Sequence, residues 1–209
     1  VSRGLTDGDS VQVRQRSRLA RIDGRFATRE RKDLLIDLLR QRPDTDAPMV
    51  HRDLFNEFAI EQLKEIDTLL FGRVTYQMMA SYWPTEVAIS DDPVVAGLMN
   101  SLPKTVFSKT LDKAEWSNTR LVNSNAAEEV SKLKQQPGKE IAIFGSSDLA
   151  VTLAERGLID EYRIIINPVF LGEGTPLLKG ITGKMNLNLL KSRTFKSGNV
   201  LLYYAPAKK

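Results

Sequence analysis

The chain has 209 residues, 42% of them hydrophobic and 27% charged, with a formal net charge of +4. That is enough to build one ordinary core, and after residue 50 the charges are too evenly mixed for a nucleic-acid stripe. It contains no cysteine and a single histidine, His51, which excludes disulfides, thiolate metal sites and thiol nucleophiles and argues against a His-rich metal cage or a Ser-His-Asp triad. Chemistry is left to carboxylates, hydroxyls, lysines or a borrowed cofactor, and a cofactor that carries its own reactivity fits this inventory best.

Composition shifts near residue 50. Residues 1–50 hold ten Arg and one Lys, whereas 51–209 hold six Arg and thirteen Lys, which completes the total of 30. In the first segment only Lys32 to Arg40 reads as a helix, Gln41 to Pro48 reads as a linker or turn, and His51 reads as an exposed histidine in a polar linker. Residues 1 to about 18 are expected to be poorly ordered. We therefore expect an atypical, partly disordered or replaced segment over 1–50 and a folded domain over 51–209. No apolar run approaches the ~20 residues that a spanning helix needs. The first thirty residues lack an apolar stretch suited to secretion. The expectation is a cytoplasmic protein with no membrane and no nucleic-acid partner. The Arg-rich segment is a weak candidate for nucleic acid, since its eleven basic and eight acidic residues leave only +3.

From Phe55 the pattern is regular. Phe55 to Ile66 is an amphipathic helix with Phe55, Phe58, Ala59, Leu63 and Ile66 on one side. Thr68 to Phe71 is a buried strand, and Val74 to Tyr82 a helix stopped by Pro84. Pro93 to Asn100 is a helix with proline at an allowed first-turn position. Thr105 to Phe107 and Arg120 to Val122 are strands. Ala126 to Gln135 is a helix, Ile141 to Phe144 a strand, Asp148 to Glu155 a helix and Glu161 to Ile166 a strand. Asn186 to Phe195 and Val200 to Ala205 form a hairpin around Ser197-Gly198-Asn199. Strands alternating with helices imply an α/β fold with a mainly parallel sheet covered on both faces, and the hairpin adds an antiparallel edge.

Two strand-to-helix turns share one construction. Gly72-Arg73-Val74-Thr75 follows an apolar strand, and so does Phe144-Gly145-Ser146-Ser147. Each offers glycine for close backbone approach, helix-start N–H groups for an anion, and hydroxyls. Arg73 adds a positive charge. Each also reads as an ordinary turn, with Thr75, Ser147 or Asp148 as the helix cap. Ser108-Lys109-Thr110, after another strand, suits a phosphate monoester or is a plain polar turn. Asn167 to Pro176 reads as a rigid bent loop and not a dinucleotide fingerprint. The aromatic residues of the second helix read as core, with Trp83 a candidate pocket wall.

In order and spacing, Asp67 to Tyr76, Lys104 to Leu111, Ile143 to Ser146 with Leu149, Ala150 and Leu153, Leu158 to Tyr162 and Pro168 to Gly174 together resemble the dihydrofolate reductase-like superfamily. The nearest branch is the reductase domain of bacterial riboflavin biosynthesis and its small stand-alone relatives. The resemblance implies a three-layer dihydrofolate reductase-like sandwich, NADPH as cofactor, and hydride transfer to a small heterocyclic or carbonyl substrate, as in 5-amino-6-(5-phosphoribosylamino)uracil reductases. It implies cofactor contacts from Gly72, Arg73, Thr75, Ser108, Lys109, Thr110, Gly145, Ser146, Ser147 and Leu149, no metal, and a homodimer. The family turn is richer in glycine than Gly145-Ser146-Ser147. Ala20 to Ala27 resembles the family's opening motif at Asp23, Gly24 and Ala27, making Asp23 a weak catalytic candidate. Arg14, Arg16 and Arg18 before it could not enter a buried strand uncompensated, so chance is the favoured reading of that match. The alternative function is a catalytically incomplete member that serves as a nucleotide-binding or oligomeric scaffold.

Overall fold

The computed structural model describes residues 22–23, 50–168, 170 and 176–207, with backbone alone at 22–23 and 50–55. Its elements, in order, are strand β1 (Ile22–Asp23), helix α1 (Val50–Glu65), β2 (Ile66–Gly72), α2 (Arg73–Ala80), α3 (Glu86–Asp91), α4 (Pro93–Ser101), β3 (Lys104–Phe107), β4 (Thr119–Val122), α5 (Ala126–Gln135), β5 (Glu140–Phe144), α6 (Ser147–Glu155), β6 (Tyr162–Ile166), β7 (Leu187–Thr194) and β8 (Val200–Pro206). The Lys32 to Arg40 helix, the Gln41 to Pro48 linker and the ordering of residues 1–18 lie outside the described residues. Helix α1 begins at Val50, so His51 is on a helix and not in a linker.

Strands β1-β5-β2-β3-β4 form one sheet, every neighbouring pair parallel, and β6-β8-β7 form an antiparallel sheet. Strand β1 also borders β6, so it lies where the two sheets meet. The architecture is the expected α/β sandwich with an antiparallel C-terminal part.

Strand β2 shows why the sheet is covered on both sides. Leu69, Leu70 and Phe71 are consecutive and all fully buried. Side chains alternate across a strand, so Leu69 and Phe71 enter one core with Val106 and Ala142, while Leu70 enters the other with Ile141 and Ile143. The first core is closed by Leu63 of α1, Tyr76 and Met79 of α2 and Met99 of α4. The second is closed by Val130 of α5 and Leu149 and Leu153 of α6. An unbroken apolar run is what a two-faced parallel strand requires.

Lys104 was not singled out by the sequence. Its side chain is 2% exposed, and its ammonium donates to the carbonyl oxygens of Met99 (2.8 Å), Asn100 (3.1 Å) and Leu102 (2.6 Å). It thereby satisfies carbonyls that the end of α4 would leave without intrahelical donors. It also lies 4.4 Å from the Trp116 ring centroid, a favourable cation–π distance. Burial pushes its pKa down to about 8 from 10.5. Between pH 8 and 10.5 the unfolded chain therefore holds more protons than the folded one, and stability rises with pH. Burial pushes Tyr162 up to about 12 from 10.0, so above pH 10 the folded chain holds the extra proton and stability falls. Lys104→Met should cost about 1–3 kcal/mol at pH 7 through unsatisfied buried carbonyls and should abolish the rise between pH 8 and 10. Thermal unfolding at pH 7, 8, 9 and 10 measures both, and an unchanged rise in the variant would contradict the assignment.

Candidate functional site

Parallel pairing brings the carboxyl ends of β2, β3 and β5 to one edge. Gly72 pairs with Phe107 and Leu70 with Ile143, so the turns after these strands open side by side. The turns after β2 and β5 are also joined directly. The Gly72 N–H donates to the Ser146 hydroxyl oxygen at 3.0 Å, and the Ser146 N–H donates to the Thr75 hydroxyl oxygen at 3.1 Å. Thr75 and Ser146 are buried, at 7% and 8% exposure. Each hydroxyl accepts one backbone hydrogen bond and keeps its own O–H as a donor.

Neither helix that starts here is capped in the expected way. Gly72 precedes α2 and Ser146 precedes α6, and neither provides a side-chain cap. Thr75, Ser147 and Asp148 are therefore not the N-cap residues that an ordinary turn would use. Elsewhere Thr85, Asp92 and Asn125 accept hydrogen bonds from the first turns of α3, α4 and α5. The helix starts of α2 and α6 thus present partial positive charge at one rim. Gly145 (φ 62°) and Ser146 (φ 55°) are both left-handed, which glycine accepts freely and serine does not.

Other expected site residues fall as follows. Arg73 is exposed and donates from Nη1 to Gln77 Oε1 at 3.0 Å. The Ser108 hydroxyl accepts from the N–H groups of Thr110 (3.1 Å) and Leu111 (3.0 Å). Ser108 therefore holds its own turn together, while Lys109 and Thr110 are exposed one strand over from β2. Ser147 is half-buried at the start of α6. Leu149 is 7% exposed and belongs to the second core, so it positions α6 from beneath. Trp83 is a core residue at 5% exposure whose Nε1 donates to Met79 Sδ at 3.2 Å. Most of the Asn167 to Pro176 loop lies outside the described residues. Asp23 pairs with Phe144 at the end of β5, which puts its backbone at the same edge as the rim.

A cavity among the described residues lies elsewhere. It measures about 200 Å³, is mainly apolar, and is lined by Tyr162, Leu177, Leu178, Ile181, Met185 and Leu187 among others. It shares no residue with the rim, and the Tyr162 hydroxyl within it donates to Met185 Sδ at 3.2 Å. Among the described residues no group of His, Asp and Glu could hold a metal ion, and no helix is long and apolar enough to cross a membrane.

The RibD C-terminal domain family matches residues 19–201. The chain belongs to that family. Within the RibD C-terminal domain family it is similar to YyaP, an uncharacterized protein of Bacillus subtilis strain 168, at 38% identity over 142 residues, which is 68% of this chain and 75% of YyaP. It is 28% identical over 144 residues to YwjB of the same organism, again 68% and 75% of the two chains. Among solved structures, a putative riboflavin biosynthesis protein from Shewanella sp. PV-4 superposes with TM-score 0.61 at 20% identity, covering 92% of this chain and 99% of that one. Dihydrofolate reductase from Enterococcus faecalis, complexed with NADP(H), superposes with TM-score 0.53 at 15% identity, covering 91% and 97%. These neighbours share the fold.

The RibD-type match starts at residue 19 and so includes Ala20 to Ala27, and Ile22–Asp23 is paired with β5. The chance reading of that segment is corrected on both counts. Among the described residues the strand is Ile22–Asp23; the arginines at 14, 16 and 18 lie outside the described residues.

The join between the turns is open to test. Thr75→Val keeps shape but removes the acceptor for the buried Ser146 N–H. The loss should be about 1–3 kcal/mol, read as a fall in the denaturant midpoint with unchanged slope. A midpoint equal to the parent's would show that the bond contributes nothing.

Proposed function

We propose that this chain is an NADPH-dependent reductase of the riboflavin-biosynthesis type that acts on a small heterocyclic or carbonyl substrate. The observation that carries the reading is the rim itself, where two helices without side-chain caps open beside Gly72. The chain's own geometry does not require glycine there. Its φ of −79° and ψ of 163° suit any residue, and a Cβ would meet only the Cβ and Oγ of Ser146, each at 3.9 Å. Close approach of a ligand gives the glycine a purpose.

On this reading the helix-start N–H groups of α2 and α6 and the free O–H donors of Thr75 and Ser146 receive the pyrophosphate. Arg73 adds charge beside it, and Lys109 and Thr110 meet the phosphate that distinguishes NADPH from NADH. The cofactor, when bound, supplies the hydride. The chain's part is to orient it and to exclude water. Asp23 is the carboxylate whose backbone stands at the same edge, and we assign it as the candidate for carrying a proton to substrate. The exposed outer strand β7, with Leu189 and Leu190 56% and 55% exposed, supports a homodimer built across that edge. A cytoplasmic setting, with no membrane or nucleic-acid partner, suits this function.

Titration should show saturable NADPH binding at sub-millimolar concentration, and its absence would end the proposal. Gly72→Ala should melt at or slightly above the parent, since alanine fits the backbone and restricts the unfolded chain, yet bind NADPH at least tenfold more weakly. Equal binding would remove the rim from the site. NADPH oxidation with 5-amino-6-(5-phosphoribosylamino)uracil and related carbonyl compounds separates a reductase from a binding scaffold, which would bind without turnover. Light scattering should give twice 23.5 kDa, and a mass of one chain would contradict the dimer.

A further inference from the structure

Ser146 combines features that seldom meet in one residue. It is buried, it holds a left-handed backbone conformation (φ 55°, ψ 52°), and it precedes a helix that its hydroxyl does not cap. Its hydroxyl instead accepts the N–H of Gly72, a residue 74 positions away, at 3.0 Å. Its own N–H reaches Thr75, in the first turn of α2, at 3.1 Å. Both bonds span the same two turns in opposite directions, so neither turn can shift without straining the other.

We infer that Ser146 is a positioning residue that latches the β2–α2 and β5–α6 turns into one rigid anion-binding rim, and that this latch sets the affinity for a dinucleotide pyrophosphate. The inference rests on the nucleotide-binding reading of the rim. Its basis is one of geometry. A pyrophosphate that spans two helix starts needs both at a fixed separation, and preorganised donors bind without a later ordering cost. A glycine at 146 would adopt the left-handed conformation without strain. The serine side chain adds a bond that no glycine can make, at the expense of backbone ease. Because the hydroxyl accepts from Gly72 through its oxygen, its proton remains available to a phosphate oxygen.

Ser146→Ala keeps the strained backbone and loses the hydroxyl; Ser146→Gly relieves the strain and also loses it. The latch predicts that both bind NADPH about tenfold more weakly than the parent, while Ser146→Gly melts within a degree or two of it or higher. It also predicts faster amide hydrogen exchange at Gly72 in both unliganded variants. A purely stabilising serine would instead leave Ser146→Gly binding like the parent. Binding within twofold of the parent, or unchanged exchange at Gly72, overturns the latch and leaves the nucleotide reading intact. Failure of the parent itself to bind NADPH overturns the nucleotide reading, and with it the role of the latch in affinity.

Discussion

The parallel pairing of β2 with β5 is the constraint on which the rest depends. Parallel strands run in one direction, so their carboxyl ends finish together and their following helices start together. Here Leu70 is paired with Ile143, and each strand has only two or fewer residues left before its glycine. The Gly72 and Gly145 turns therefore meet, and the Gly72–Ser146 and Ser146–Thr75 hydrogen bonds become geometrically available. The buried run Leu69-Leu70-Phe71 secures that pairing from both faces of the sheet. Loss of a large side chain from such a run would cost several kcal/mol, so the rim is held by the core beneath it and not by loop contacts alone.

Much of this was legible in the sequence because it is periodic or punctuated. Ala126 to Gln135 reads as a helix ended by Pro137-Gly138, and the helix has those limits, with Asn125 as its cap. The strand ending at Gly72 and the hairpin around Gly198, which has a positive φ, are also as read. What was not legible depends on contacts far apart in the chain. Helix α3 is six residues long, too short to show a period. Lys104 looked like any polar residue at a strand start, and only the end of α4 folding over it makes it a buried cap. At the rim, Thr75, which reads as the cap of its own helix, instead accepts from Ser146 N–H of the other turn, and the Ser146 hydroxyl accepts from Gly72; no spacing rule within one segment reveals that.

The opening segment is a different kind of case. Arg14, Arg16 and Arg18 speak against a buried strand and make chance the favoured reading of Ala20 to Ala27. The pairing of Ile22–Asp23 with β5 and the RibD C-terminal domain match, which extends back through that segment, overturn it. That pairing puts the Asp23 backbone at the edge where Gly72 and Ser146 stand. The apolar cavity around Tyr162 is lined by no charged residue, unlike the rim, where Arg73 stands beside two helix starts.

Whether the two turns form one site for a dinucleotide is decided by a crystal structure of the protein grown with NADPH. The pyrophosphate is expected against the first residues of α2 and α6, within hydrogen-bond distance of the Thr75 and Ser146 hydroxyls. Nucleotide bound elsewhere, such as in the cavity beside Tyr162, or a rim that stays empty at saturating NADPH, would contradict it.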